Sequence, residues 1–114
     1  MEEQRSLNFS EIAGSATGKE GVVWTLEGST DLNANLVRFE AGGGVGEHVS
    51  DEVDVLIIGV SGSGLVGVDG EEHPVANGGM VFVPRGARRY TRAVSDDFAY
   101  LSVHRRRGPL QIGG

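Results

Sequence analysis

Apolar residues in this chain come in short runs broken by glycine-rich or polar stretches. No window keeps a 3.6-residue apolar period between capping signals, so no long helix is predicted. One helical turn is expected at Ser10–Ala13, with Ser10 as its cap. The remaining runs read as strands. Val22–Leu26 is the first, with Trp24 near its middle. Leu32–Phe39 follows the turn at Ser29–Asp31 and alternates in part. Ala41–Gly46, AGGGVG, reads as a loop. Val53–Val60, VDVLIIGV, is nearly all apolar, which suggests a strand buried on both faces or central in its sheet. Gly64–Val68 and Glu72–Val75 flank Asp69-Gly70, a strong two-residue hairpin signal. Met80–Val83 is closed by Pro84-Arg85-Gly86. Arg89–Ala93 and Phe98–Val103 form a last pair, joined through Ser95-Asp96-Asp97. About eight short strands with short links, and no repeat or linker, predict an all-β single domain.

Composition sharpens this picture. The 114 residues are enough for one domain with a modest core. The 19 glycines sit at turn-like positions, as in a barrel of short strands. Without Cys there is no disulfide, thiolate metal site or cysteine nucleophile. The start, MEEQRSLNFSEI, lacks the basic and apolar segments of a signal peptide, and no apolar run has the length of a membrane span. A soluble cytoplasmic protein with no membrane partner is expected. The net charge of −6 disfavours general nucleic-acid binding. The charge is uneven, however. Residues 1–84 carry 3 basic and 14 acidic side chains, and residues 85–114 carry 7 Arg and 2 Asp. The basic third leaves room for a local anion site.

Two spaced motifs carry a family resemblance. Gly42 is followed by five residues and His48, in GGGVGEHVSDEVDVLIIGVSGSG. Gly78 is followed by five residues and Pro84, then Gly86 and Arg89, in GGMVFVPRGARR. The hairpin GLVGVDGEEH lies between them. In order and at this separation, the motifs resemble those of the cupin superfamily. The ending YLSVHRRRGPL also resembles that of small actinobacterial cupins of unassigned function. The resemblance implies a double-stranded β-helix, or jelly-roll, barrel. Its division here would be an N-terminal arm (1–19), a barrel (20–104) and a basic C-terminal tail (105–114). It also implies a homodimer in which the arms are exchanged, and a small core gives weaker independent support.

The resemblance further implies a metal held by two His and a Glu of the first motif and a His of the second. Only His48 matches. Ser50 replaces the second His, Asp54 or Val55 falls at the Glu position depending on the gap, and Arg89 replaces the last His. A guanidinium stays protonated and cannot ligate a cation. No metal cofactor is therefore expected. Strand alternation without a bulge would put residues 48, 50 and 54 on one face. Asp54 would then face inward, and an Asp54–Arg89 ion pair would stand in for the metal.

Other residues allow other chemistry. His48, Glu52, Asp54 and His104 are the alternative metal set, for a divalent transition metal, if the fold gathers them. His104 shares a strand face with Tyr100 and Ser102. Arg88, Arg89 and Arg92 also suit a solvated strand face, and His73 follows a hairpin turn and should be exposed. Arg105-Arg106-Arg107 reads as a solvated tail or as a clamp on a partner subunit's acidic patch. AGGGVG lacks the Lys-Ser/Thr of a phosphate loop, and no nucleophile elbow occurs.

Three functions follow. One is a metal-free module binding a small, anionic molecule through Arg89, with His48, Ser50, Asp54, Arg88 and His104 as further contacts. The second is a metal-dependent enzyme of dioxygenase or isomerase type with a rebuilt ligand set. The third is a metal-free enzyme using His48 and Asp54 as acid and base.

Overall fold

The computed structural model describes residues 5–107. Residues 1–4 and 108–114, hence the start of the expected arm and most of the expected tail, lie outside the described residues. One helix and nine strands follow in order: α1 (Phe9–Ser15), β1 (Gly21–Thr25), β2 (Leu32–Phe39), β3 (Gly44–Val49), β4 (Val55–Ser61), β5 (Ser63–Val68), β6 (Glu71–Ala76), β7 (Met80–Val83), β8 (Arg88–Ala93) and β9 (Phe98–Arg105). They form a five-stranded sheet, β1-β2-β9-β4-β7, and a four-stranded sheet, β3-β8-β5-β6. Neighbouring strands are antiparallel throughout. The fold is the all-β jelly-roll barrel that the motifs imply.

The inner faces of the two sheets make the core. Val37, Val55, Ile57, Phe98 and Tyr100 of the first meet Val66, Val75 and Ala93 of the second. Each fully buried side chain of this size contributes about 1.5–3 kcal/mol. The outer face of the five-stranded sheet carries a second cluster. There α1 lays Ala13 on Leu36, Val60 and Ala99, with Phe9, Ile12, Val23, Trp24 and Leu101 around them. Phe9 meets Trp24 edge-on, with centroids 5.1 Å apart.

Several local readings need correction. The helix is seven residues long and is capped by Asn8, not Ser10; Asn8 Oδ1 accepts from the Glu11 amide at 3.1 Å. Phe9, Ile12, Ala13 and Ala16 recur at the spacing of one helical face, over too short a span to announce itself. The expected AGGGVG loop runs into strand β3, which is exposed along its whole length and so shows no alternation. Central β4 does alternate: Val55 and Ile57 are buried, while Leu56 is exposed on the outer face. The hairpin at Asp69-Gly70 forms as expected, with φ of 50° and 88°, the twisted two-residue turn that favours Asn or Asp before Gly. Gly67 lies under Tyr90, whose ring would be 2.0 Å from any added Cβ.

Candidate functional site

Between the sheets, at the open end of the barrel, lies a cavity of about 170 Å³. Val22, Val37, Val45 and Ile57 supply apolar walls; His48, Arg89, Thr91, Tyr100, Ser102 and Asn35 supply polar groups. Strand register explains the gathering. On β8, Arg89 and Thr91 alternate inward with Ala93, opposite Val68, Val66 and Gly64 of β5. On β9, Tyr100 and Ser102 face inward beside Val37 and Asn35 of β2. An irregularity in β3 between Val45 and His48 lets both reach the cavity, opposite Thr91 and Arg89.

His48 and Arg89 are joined. Arg89 Nε donates to His48 Nε2 at 3.0 Å, and His48 Nδ1 lies 2.8 Å from the Gly46 carbonyl. The carbonyl can only accept, so the proton sits on Nδ1 and His48 is the neutral tautomer with its Nε2 lone pair taken. Arg89 is half-buried, and partial burial, followed by repulsion from Arg107, lowers its pKa while Tyr100 opposes this. Its guanidinium remains a cation. Among the described residues no carboxylate lies within 4.0 Å of it, and Nε makes its one hydrogen bond.

Behind this pair stands a chain of hydroxyls. The Val45 amide donates to Thr91 Oγ1 at 3.2 Å, and Thr91 Oγ1 is 3.1 Å from the Tyr100 hydroxyl. Tyr100 is buried, which raises its pKa; Thr91 and the charge of Arg89 partly offset this. The phenol is therefore protonated at neutral pH. Asn35 is already engaged: its Oδ1 accepts from Thr25 at 2.8 Å, and its Nδ2 donates to Asn33 at 3.3 Å.

The other expected site residues lie elsewhere. Asp54 does not pair with Arg89. It is exposed between buried Val53 and Val55, in the loop after β3, and Oδ1 accepts from the Arg85 amide at 2.7 Å. It borders a separate surface hollow with Glu52, Arg85 and Arg105. The face shared by residues 48, 50 and 54 fails because β3 ends at Val49. The acid–base pair of His48 and Asp54 therefore does not share a cavity. Arg88 is exposed on the outer side of β8, above a hollow it shares with Glu47 and Asp69. His104 is buried on the inner face of β9 but does not line the cavity; its Nδ1 donates to the Arg105 carbonyl at 2.7 Å. Ser50 accepts from Arg107 Nη2 at 3.1 Å.

The Arg run has a use within the chain. Arg107 Nε pairs with Glu52 at 3.2 Å, Arg105 donates to the Glu52 carbonyl at 3.0 Å, and Arg106 donates to the Ser29 carbonyl at 3.1 Å. The run straps the loop at 50–54 and the turn at 29–31. On the outer sheet face, Tyr90 donates to Glu72, which also pairs with Arg92 at 3.4 Å. The Glu72 hydrogen bond raises the Tyr90 pKa. His73 is half-exposed, 4.0 Å from Glu71.

These positions do not suit a metal of the kind the resemblance implies. His48 offers no free nitrogen, Ser50 is bound to a guanidinium, Arg89 is a cation, and Asp54 points away. The set His48, Glu52, Asp54 and His104 is not brought together: among the described residues no three His, Asp or Glu converge as a ligand group. Among the described residues, too, no helix is long and apolar enough to cross a membrane.

Tyr100 and Thr91 escaped the candidate set. The signal was available in the alternation that puts Thr91 beside Arg89, and Tyr100 and Ser102 on one face.

Comparison with known proteins agrees with the architecture. No curated protein matches the chain. Among solved structures, it is similar to KdgF from Halomonas sp., at 20% identity and a TM-score of 0.69, covering 78% of this chain and 81% of the other. The SPY1581 protein of unknown function from Streptococcus pyogenes is 27% identical with a TM-score of 0.64, over 75% and 73% of the two chains. BH2720 from Bacillus halodurans is 16% identical with a TM-score of 0.73, over 91% and 83%. The likenesses at 20% and 16% identity speak to the fold alone. Residues 35–104, more than half of the chain, match the cupin domain family, and the chain belongs to it.

Proposed function

We propose that this cupin binds a small anionic molecule in its barrel, through Arg89 and without a metal. The observation that carries this reading is the state of Arg89. A half-buried guanidinium lines a largely apolar cavity, and among the described residues its one hydrogen bond goes to a neutral imidazole. Its Nη groups are left for a ligand, and Arg forks match carboxylate and phosphate oxygens well. His48 orients the guanidinium from behind.

The test pairs metal analysis with anion titration. Untagged protein, as purified and after soaking in Fe, Mn, Ni, Cu or Zn and desalting, should hold no stoichiometric metal. Anion binding seen by calorimetry should vanish in Arg89→Gln. Near one metal per chain, lost in His48→Ala, would overturn the reading in favour of a metal enzyme.

The proposed assembly is a homodimer. Leu56 pairs with Phe82, and Ile58 with Met80, on the outer face of β4 and β7. Leu56, Met80 and Phe82 are exposed there, beyond the area α1 covers. A row of large apolar side chains on one face is the kind of surface that a partner covers. A second copy fits because β7 is an edge strand, which can meet the same strand of another chain.

A further inference from the structure

Among the described residues, the cavity's lining holds one cation, Arg89, with a protonated phenol, Tyr100, and apolar walls. Its volume of about 170 Å³ limits the occupant. A cavity of roughly 150 Å³ holds a benzene ring, so the occupant is a ring or a short branched chain with a headgroup that reaches the mouth.

The hydroxyl chain has a direction. The Val45 amide can only donate, so it takes a lone pair of Thr91 Oγ1. Thr91 can then donate its own proton to the Tyr100 oxygen, 3.1 Å away. In that arrangement the Tyr100 proton points onward, into the cavity that Arg89 also lines. Resting on the anion-binding reading above, we propose that the ligand is a monocarboxylate with a compact apolar body, its carboxylate held between the Nη groups of Arg89 and the hydroxyl of Tyr100.

The alternatives fit less well. A phosphate carries more than one negative charge against the single charge of Arg89, and any oxygen not taken by Arg89, Tyr100 or Ser102 would face Val37, Val45 and Ile57. A dicarboxylate has the same difficulty. Its second charge would need a second cation, and the nearby Arg107 is already held by Glu52. Asn35 adds no charge, and its amide, which accepts from Thr25 and donates to Asn33, has one N–H left to offer.

The experiment is calorimetric titration of the whole chain with benzoate, cyclopentanecarboxylate, succinate and inorganic phosphate, on the wild type and on Arg89→Gln, Tyr100→Phe and Thr91→Ser. The proposal expects the two monocarboxylates to bind and the other anions to bind at least tenfold more weakly. Tyr100→Phe should weaken binding roughly tenfold, the loss of one hydrogen bond to a charged group, while Thr91→Ser, which keeps the hydroxyl, should retain it. Succinate or phosphate binding through Arg89 in preference to the monocarboxylates would leave the anion reading standing and overturn this one. Binding that is absent, or indifferent to Arg89→Gln, would overturn both. Monocarboxylate binding unchanged in Tyr100→Phe would overturn the role of the phenol.

A second readout does not depend on the Tyr100 variant folding. In Tyr90→Phe, Tyr100 is the remaining tyrosine. Cyclopentanecarboxylate, which is transparent in the near ultraviolet, should shift the tyrosine absorption of that protein. An unshifted spectrum at saturating ligand overturns the contact.

Discussion

Arg89 on β8 and His48 on β3 face each other in register, and the arginine Nε donates to the histidine Nε2 at 3.0 Å. That nitrogen carries the lone pair that a metal would need. The pair therefore does two things at once: it removes a ligand and installs a cation. Arg89→His reverses both, putting a second imidazole opposite His48. The variant is expected to take up Ni²⁺ or Zn²⁺ detectably by calorimetry, where the wild type does not. Equal uptake by the two proteins would show that Arg89 does not control metal binding.

Arg38 is buried, an unusual place for a guanidinium, and faces the outer side of β2. It pairs with Glu40 and donates to the carbonyls of Lys19, at 3.1 Å, and Asp96, at 3.2 Å. It thus ties the segment before β1 to the turn between β8 and β9. Arg38→Met keeps the stem but leaves two carbonyls without their donor. A loss of about 2–3 kcal/mol in urea unfolding is expected, since Glu40 itself remains partly solvated. A change under about 0.5 kcal/mol would place the variant with ordinary surface substitutions.

How much of this could be read in advance depended on what each feature is made of. The barrel, the Asp69-Gly70 hairpin and β2 were legible because period-2 alternation and turn chemistry are local signals. The substitution at Arg89 was legible because a motif fixes that position in sequence. The Asp54–Arg89 pair was not, because strand alternation stops where β3 ends at Val49. Two buried valines, Val53 and Val55, turn Asp54 outward instead. Tyr100 enters the site through pairing across β2 and β9, a relation between residues far apart in the chain.

Glu52 holds Arg107 at 3.2 Å, and Arg107 acts electrostatically on Arg89. The Glu52–Arg107 pair is exposed, so Glu52→Gln should cost less than about 1 kcal/mol in stability. It also leaves the Arg107 charge uncompensated near the mouth. Benzoate should then bind more tightly, on the order of twofold to fivefold, with the gain disappearing at high salt. Unchanged or weaker binding would show that Arg107 does not act on the ligand.

The outer face of β4 and β7 predicts the behaviour of a single charge placed there. Phe82 is half-exposed and paired with Leu56. Phe82→Glu should therefore shift sedimentation from twice 12.0 kDa to 12.0 kDa, and its melting temperature should match that of the wild type at low concentration, where the wild type also dissociates, and fall below it at high concentration. A wild type that sediments at 12.0 kDa at micromolar concentration would remove the dimer.

Tyr100 predicts a signature in alkali. Burial raises its pKa in the folded chain above the ordinary value of about 10. Between those two values the unfolded chain has lost the proton and the folded chain keeps it, so the folded state binds more protons and stability falls as pH rises. The stabilisation is complete below about pH 10 and is lost as pH climbs through the folded value. One such group gives a slope of up to about 1.4 kcal/mol per pH unit. Tyr90 is raised as well, so the comparison belongs in a Tyr90→Phe background. Urea unfolding between about pH 8 and pH 11 should show a steeper alkaline decline in Tyr90→Phe than in Tyr90→Phe with Tyr100→Phe added. Parallel declines would mean that the Tyr100 hydroxyl reaches solvent, and a phenol so hydrated would be a poor donor to a ligand inside the barrel.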